Sequence, residues 1–253
     1  MNRFFVSETD IDTDAKRVTI TGGDAHHIKD VLRLKAGEEI SVCIPGDAQE
    51  REFRCAVSSF EGESVICELR FIKKSAAELP VRVTLYQGTP KSDKMEMIIQ
   101  KCVELGIHSI VPVDCIRCVS RIDGKKADSK TARWQAISEA AAKQSKRGIV
   151  PEIVKPMSFD EALSDATGKD VILLPYEMAI EEGSAMDETR RILSGIKPGQ
   201  SVAVFIGPEG GFDDKEVAKA KEAGARIITL GDRILRTETA GMTVMAWIGY
   251  LFG

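Results

Sequence analysis

Residues 201–240 read SVAVFIGPEGGFDDKEVAKAKEAGARIITLGDRILRTETA, and the fold turns on how they are read. Five apolar residues, Val202 to Ile206, stop at Gly207-Pro208-Glu209-Gly210-Gly211, and a helical pattern opened by acids runs from Asp213 to Ala223. That order describes a buried strand, a glycine-rich loop and a helix. Arg226 to Leu230 is a second apolar run, which ends at Gly231 and leads into Arg236-Thr237-Glu238-Thr239-Ala240. Two such loops at the carboxyl ends of neighbouring parallel strands form a crevice, the place where open α/β sheets take their ligands.

Gly207, Gly210 and Gly211 allow close backbone approach and positive φ, but their spacing is not G-x-G-x-x-G and no Walker lysine follows. Glu209, Asp213 and Asp214 stand where a phosphate would want positive potential, so a cationic or hydroxyl-rich ligand suits the loop better. A tight structural turn with an exposed glutamate accounts for the same residues. Further on, Thr237 suits the cap of a final helix and Glu238 its first turn. Arg236 opposes the helix dipole there, which points to an anion arriving from outside, such as a phosphate.

The chain has 253 residues, 39 acidic and 35 basic, for a net charge of −4, so any nucleic-acid contact rests on a local patch. Arg117 to Arg147 supplies one, with nine cations against three acids. Within it Lys143 and Arg147 share a helical face with Gln144 beside them, and Arg117 and Arg121 lie upstream; an ordinary solvated face fits the same pattern. Arg3, His27 and Arg33 mark a smaller candidate platform. No secretory leader or membrane span is legible, which predicts a soluble cytoplasmic protein. The six cysteines read as reduced, buried thiols, Cys115-x-x-Cys118 included, and no metal site is expected.

Along the chain, residues 1–72 show strand after strand (RFFV, RVTIT, EISVCI, REFRCAVSSF, SVICELRFI), which predicts a small closed or nearly closed β-barrel. One helix interrupts it, capped by Asp24, with Ile28, Val31, Leu32 and Leu34 on its apolar side. Residues 73–80 form a polar connection. From 80 to 253 strands and helices alternate, predicting an α/β domain with a parallel sheet covered by helices. The last segment, TAGMTVMAWIGYLFG, is apolar almost all round. It therefore calls for cover on all sides, which predicts an obligate homodimer through this helix, with burial against its own sheet as the alternative.

IGPEGGF and LGDRILRTETA together resemble the C-terminal signature of SPOUT methyltransferases. With MNRFFV, HHIKDVLR, KSDKMEMIIQKCVELG and EAAAKQSKR the chain is similar to the RsmE family over nearly its whole length. The resemblance implies a PUA-like, RNA-binding barrel (1–72) and a SPOUT domain (80–253) with a deep C-terminal trefoil knot. It further implies an enzyme that uses S-adenosylmethionine to methylate N3 of a uridine in 16S, small-subunit ribosomal RNA. The cofactor would lie against Leu174-Pro175-Tyr176-Glu177, Ile206 to Gly211, and Leu230, Gly231, Ile234, Leu235, Arg236, Thr237, Thr239 and Ala240. Arg236 would stabilise charge on the uracil ring, with Glu209 or Glu238 as base. Three alternatives stand beside this: a SPOUT enzyme acting on another RNA position, a non-catalytic RNA-binding protein of ribosome assembly, and a Rossmann-like oxidoreductase. VRVTLYQGTPKSDKM lacks the glycine fingerprint that the last requires.

Overall fold

The computed structural model describes residues 1–47, 49–119, 122, 124–176 and 185–252. The chain divides into two compact units, residues 1–78 with 142–150, and residues 79–141 with 151–253.

In the first unit six strands pair in the order β1-β4-β5-β6-β3-β2. They are β1 (Asn2–Phe5), β2 (Ile11–Asp12), β3 (Arg17–Ile20), β4 (Glu39–Cys43), β5 (Arg51–Glu61) and β6 (Ser64–Lys74). All pairs are antiparallel except β1 with β4. Side chains alternate across a strand, so the register that aligns Phe4, Val42 and Phe53 puts all three on one face, in a core shared with Val18, Ile20, Ile40, Cys55 and Val65. Irregularities at Arg54/Cys55 and Val57/Ser59 bend the long β5–β6 ribbon. The helix α1 (Gly22–His26) continues through a wider turn to Val31. Asp24 does not cap it. Thr21 precedes the helix, and Asp24 lies inside the first turn with its carboxylate on Lys143 at 2.7 Å. Ile28 is fully buried and Leu32 and Leu34 pack partly on the core, but Val31 is 60% exposed, because the wider turn rotates it off the apolar side.

The second unit carries an all-parallel sheet ordered β10-β8-β7-β12-β11-β13, with β9 also on β8. Its strands are β7 (Arg82–Gly88), β8 (Ser109–Asp114), β9 (Glu152–Ile153), β10 (Met157–Ser158), β11 (Val171–Pro175), β12 (Ser201–Ile206) and β13 (Arg226–Ile228). Its helices are α2 (Lys94–Glu104), α3 (Gly124–Gln144), α4 (Phe159–Ala166), α5 (Ala185–Ser194), α6 (Asp214–Glu222) and α7 (Thr237–Phe252). Gly106, at φ +99°, ends α2 in the conformation glycine favours. Capping boxes open α4 (Ser158 with Glu161) and α6 (Asp213 with Glu216), each worth about 1 kcal/mol. Tyr86 stacks on Phe205 at 4.6 Å in a core that also holds Phe159, Phe212 and Leu174. β12 and β13 are not neighbours: β11 lies between them, so three strand ends, not two, open onto the crevice.

α7 buries one stripe, Ala240, Gly241, Val244, Met245 and Ile248, and leaves Tyr250 87% exposed and Leu251 41% exposed. The helix is apolar all round in sequence, yet its own unit covers only one side. At the end of α3, residues 142–150 belong to the first unit. There Lys146 sits at φ +59°, while the Arg147 and Lys146 amides bond the Ala142 and Lys143 carbonyls at 2.9 and 3.3 Å. This is a Schellman closure with lysine where glycine is usual.

Candidate functional site

The carboxyl ends of β11, β12 and β13 enclose a cavity of about 560 Å³, within the usual range for small-molecule sites. Pro175 and Tyr176 come from β11, Ile206 to Phe212 from the β12 loop, and Thr229 to Gly231 with Arg233 to Thr237 and Ala240 from the last crossover. Leu174 lies buried in the core and Thr239 is exposed, both outside this wall; Glu177 is outside the described residues.

Backbone proximity shapes the floor. A Cβ on Gly88 would lie 2.6 Å from the nitrogen and Cδ of Pro208, so only glycine lets the end of β7 meet the β12 loop. Gly211 takes φ +67°, and a Cβ on Gly207 would lie 3.2 Å from Gly211 Cα. Gly210 has a different neighbour from the one its sequence suggests, since its Cβ would meet Arg117 Cβ at 3.2 Å. Thr237 is likewise not a helix cap. Its hydroxyl donates to the Gly207 carbonyl at 2.6 Å and accepts from Gln87 Nε2 at 2.8 Å, tying β7, the β12 loop and α7 together. The carbonyl of Arg236 takes the first helical bonds instead.

Lys94 organises the carboxylates. Glu209 Oε1 accepts from Lys94 Nζ at 3.0 Å and from the Lys91 amide at 3.1 Å, and Lys94 Nζ is 3.5 Å from Glu238 Oε2. Partial burial raises the Glu209 carboxyl, but the ammonium and the amides outweigh it and hold it below the usual carboxylate range. Its hydrogen bond to Glu209 pushes Lys94 up in turn. Glu238 is 8% exposed, and its Oε2 has no hydrogen-bond donor. Arg117, which also lines the cavity, reaches Gly210 O at 3.3 Å and Asp213 at 3.5 Å and braces the loop. Tyr176 donates to Asp214 at 3.1 Å, which fixes its ring at the cavity edge. Arg236 is exposed at the same cavity, and among the described residues its guanidinium has no ion-pair or hydrogen-bond partner.

Sequence reading passed over Lys94 and Gln87. Glu209 and Glu238, on Lys94, and Thr237, on Gln87, lie more than a hundred positions away, and no local spacing carries that signal.

Four cations of the basic segment, Arg117, Arg133, Lys143 and Arg147, are paired with acids that the fold brings to them. Arg147 is 2% exposed and holds Glu78 through Nε at 3.0 Å, Lys143 holds Asp24, and Arg133 holds Glu96 at 2.7 Å. Arg3 is 9% exposed, on Glu52 at 2.7 Å. Arg3, Lys143 and Arg147 therefore serve as structural ion pairs rather than an open RNA-facing row. Gln144, His27 and Arg33 are exposed, Arg33 at φ +53°; Arg121 is outside the described residues. Cys115 and Cys118 are free and buried, with the Cys115 amide on Cys118 Sγ at 3.3 Å. Among the described residues no group of three or more His, Cys, Asp or Glu is placed to hold a metal ion, and no helix is long and apolar enough to cross a membrane.

Residues 77–249 match the family model of an RNA methyltransferase domain, and residues 20–70 that of an RNA methyltransferase PUA domain. The chain is 36% identical to ribosomal RNA small subunit methyltransferase E of Bacillus subtilis, over 99% of this chain and 96% of that one. A ribosomal RNA small subunit methyltransferase E from Neisseria gonorrhoeae, solved bound to S-adenosyl methionine, is similar at 29% identity and TM-score 0.81, covering 100% of this chain and 98% of that one. A putative methyltransferase from Legionella pneumophila, in complex with bound cofactor SAM, is similar at 27% identity and TM-score 0.82, over 98% and 96%. With three strand ends closed round one cavity and these matches spanning both units, the chain belongs to the ribosomal RNA small subunit methyltransferase E family.

Proposed function

We propose that this S-adenosylmethionine-dependent ribosomal RNA methyltransferase modifies N3 of a uridine in the small-subunit RNA. The observation that carries the reading is Arg236, a guanidinium at the cavity that, like its neighbour Arg233, has no ion-pair partner among the described residues, while Lys94, Glu209 and Arg117 are engaged in pairs. The cavity fits the cofactor. Pro175, Ile206, Leu235 and Ala240 supply apolar wall, and the glycine loop brings main chain close, with open space where a Cβ on Gly211 would stand. Bound there, S-adenosylmethionine supplies an electrophilic methyl group on a sulfonium.

What the chain adds is alignment and charge. Arg236 receives either a flanking phosphate or the negative charge that spreads to the ring oxygens as the N3 proton leaves. Glu209 is poorly suited to take that proton, because three donors stabilise its ionised form. Glu238, next to cavity-lining Thr237 and held only by the longer 3.5 Å ion pair with Lys94, suits the role better.

Finer features of the family accompany this reading. Placement of β12 between β7 and β11, with α7 following β13, supports a C-terminal trefoil knot. Six strands bent by two irregularities support a small RNA-binding barrel in residues 1–72. Met97 on α2 and Tyr250 and Leu251 on α7 are 44%, 87% and 41% exposed, and this apolar surface supports a homodimer through α7. The cytoplasm is where such a substrate is met. The test is nucleoside analysis of small-subunit RNA from cells lacking the protein: 3-methyluridine should vanish and return with wild-type protein but not with Arg236→Ala. Unchanged 3-methyluridine, or loss of a different methylated nucleoside, would overturn the assignment.

A further inference from the structure

Strands in register line up one residue each across a sheet. On the face opposite the apolar core the line is Arg3 of β1, Ser41 of β4, Arg54 of β5 and Phe71 of β6. The adjacent line on that face is Phe5, Cys43, Glu52 and Lys73. Glu52 is 3% exposed and draws three cations: Arg3 at 2.7 Å, Arg54 at 2.6 Å and Lys73 at 3.6 Å. Burial raises its pKa, but the charges of Arg3, Arg54 and Lys73 offset that and hold the carboxyl below its usual range. One cation would neutralise one carboxylate. Among the described residues no second acid is ion-paired with any of the three, so the cluster carries two positive charges in excess.

The excess lies at the open end of the face. Arg3 is enclosed, whereas the side chains of Arg54 and Lys73 are 24% and 42% exposed. Phe71, paired with Arg54 across the ribbon, is 57% exposed. This phenyl ring stands in water on the side away from the core, beside the strand position of Arg54. A flat aromatic surface beside unbalanced cations matches an unstacked base joined to its phosphates. A double helix would fit poorly, since its bases are already stacked.

We propose that this face of the sheet binds single-stranded RNA, with Arg54 and Lys73 on the backbone phosphates and a base stacked on Phe71. The proposal rests on the reading of the protein as an RNA methyltransferase and adds a binding site remote in sequence from its cavity.

Phe71→Ala and Lys73→Gln alter exposed atoms, so both should stay folded, which thermal melting verifies. Phe71→Ala is expected to weaken binding of fluorescein-labelled oligouridine about tenfold while leaving affinity for duplex RNA unchanged. Lys73→Gln should flatten the slope of log Kd against log salt by about 0.7. Calorimetric affinity for S-adenosylmethionine should not move in either. Oligouridine affinity unchanged in both variants overturns this site and leaves the methyltransferase reading standing, and an equal loss on duplex RNA overturns the stacking. A wild-type protein that binds S-adenosylmethionine but neither oligouridine nor ribosomal RNA overturns the RNA reading together with the site.

Discussion

Gln87 donates to the hydroxyl of Thr237 at 2.8 Å across 150 positions of sequence, and that hydroxyl passes the interaction on to the Gly207 carbonyl. One side chain thus fixes the end of β7, the glycine loop and the start of α7 relative to each other. Thr237→Val should leave a buried amide, whose Oε1 is already without a partner, with only its bond to the Gly88 carbonyl. A loss of about 1–3 kcal/mol in urea unfolding is expected, with Thr237→Ser retaining most of the stability. Equal stability of the valine variant would show that the chain of bonds contributes nothing.

Gly88→Ala tests the floor of the cavity. The new methyl group would meet Pro208 at 2.6 Å, backbone against backbone, so the loop has to move. About 1–3 kcal/mol of destabilisation is expected together with loss of S-adenosylmethionine binding by calorimetry. Gly210→Val should be milder on the cofactor, because its side chain would press on Arg117 instead.

Arg236→Ala should lower kcat at least a hundredfold while cofactor affinity changes little, since its proposed partner is charge on the substrate. Arg236→Lys keeps the charge but not the planar fork, and an intermediate rate is expected. Equal losses in kcat and in cofactor affinity would reassign the residue to cofactor binding.

Lys94→Met should raise the Glu209 pKa, which a carboxyl NMR titration reads directly. The sign for stability follows from the direction of the shift. The folded-state value is depressed, so the contribution is present above the ordinary carboxylate range and is lost as pH falls through the depressed value. Loss of Lys94 should therefore shrink the drop in unfolding midpoint between neutral and acidic pH. An unchanged profile would mean that the amides alone hold the carboxylate.

Arg147→Met should cost about 3–5 kcal/mol, because Glu78 would be left buried without its cation. Oligouridine affinity of the folded fraction should be nearly unchanged, which separates a structural ion pair from an RNA contact.

Much of the α/β layout is legible in the chain because alternation of apolar runs with capped helices is a local pattern. Asp213 with Glu216 and the stop at Gly106 are both visible within a few residues. The glycine loop and Arg236 are legible for the same reason. Strand order is not local, and so β11 between β12 and β13 could not be read. Charge counting failed over Arg117 to Arg147 because the neutralising acids, Glu78, Asp24 and Glu96, come from elsewhere. Thr237 looked like a cap because its true partner, Gln87, is remote. α7 looked evenly apolar, yet only contact with α2 and β12 decides which stripe is buried.

The position of β12 also sets a clock on synthesis. β7 pairs with β12, and the contacts that finish the site, Lys94 with Glu209 and Gln87 with Thr237, close over 115 and 150 residues. At translation speeds of about 5–20 residues per second, the later partner emerges roughly 6–30 s after the earlier one. Throughout that interval β7 has an unpaired edge, apolar and parallel-pairing, which is a hazard for aggregation. A nascent or truncated chain ending before α7 therefore holds no finished methyl-donor site, and competence arrives abruptly with its last few turns of helix.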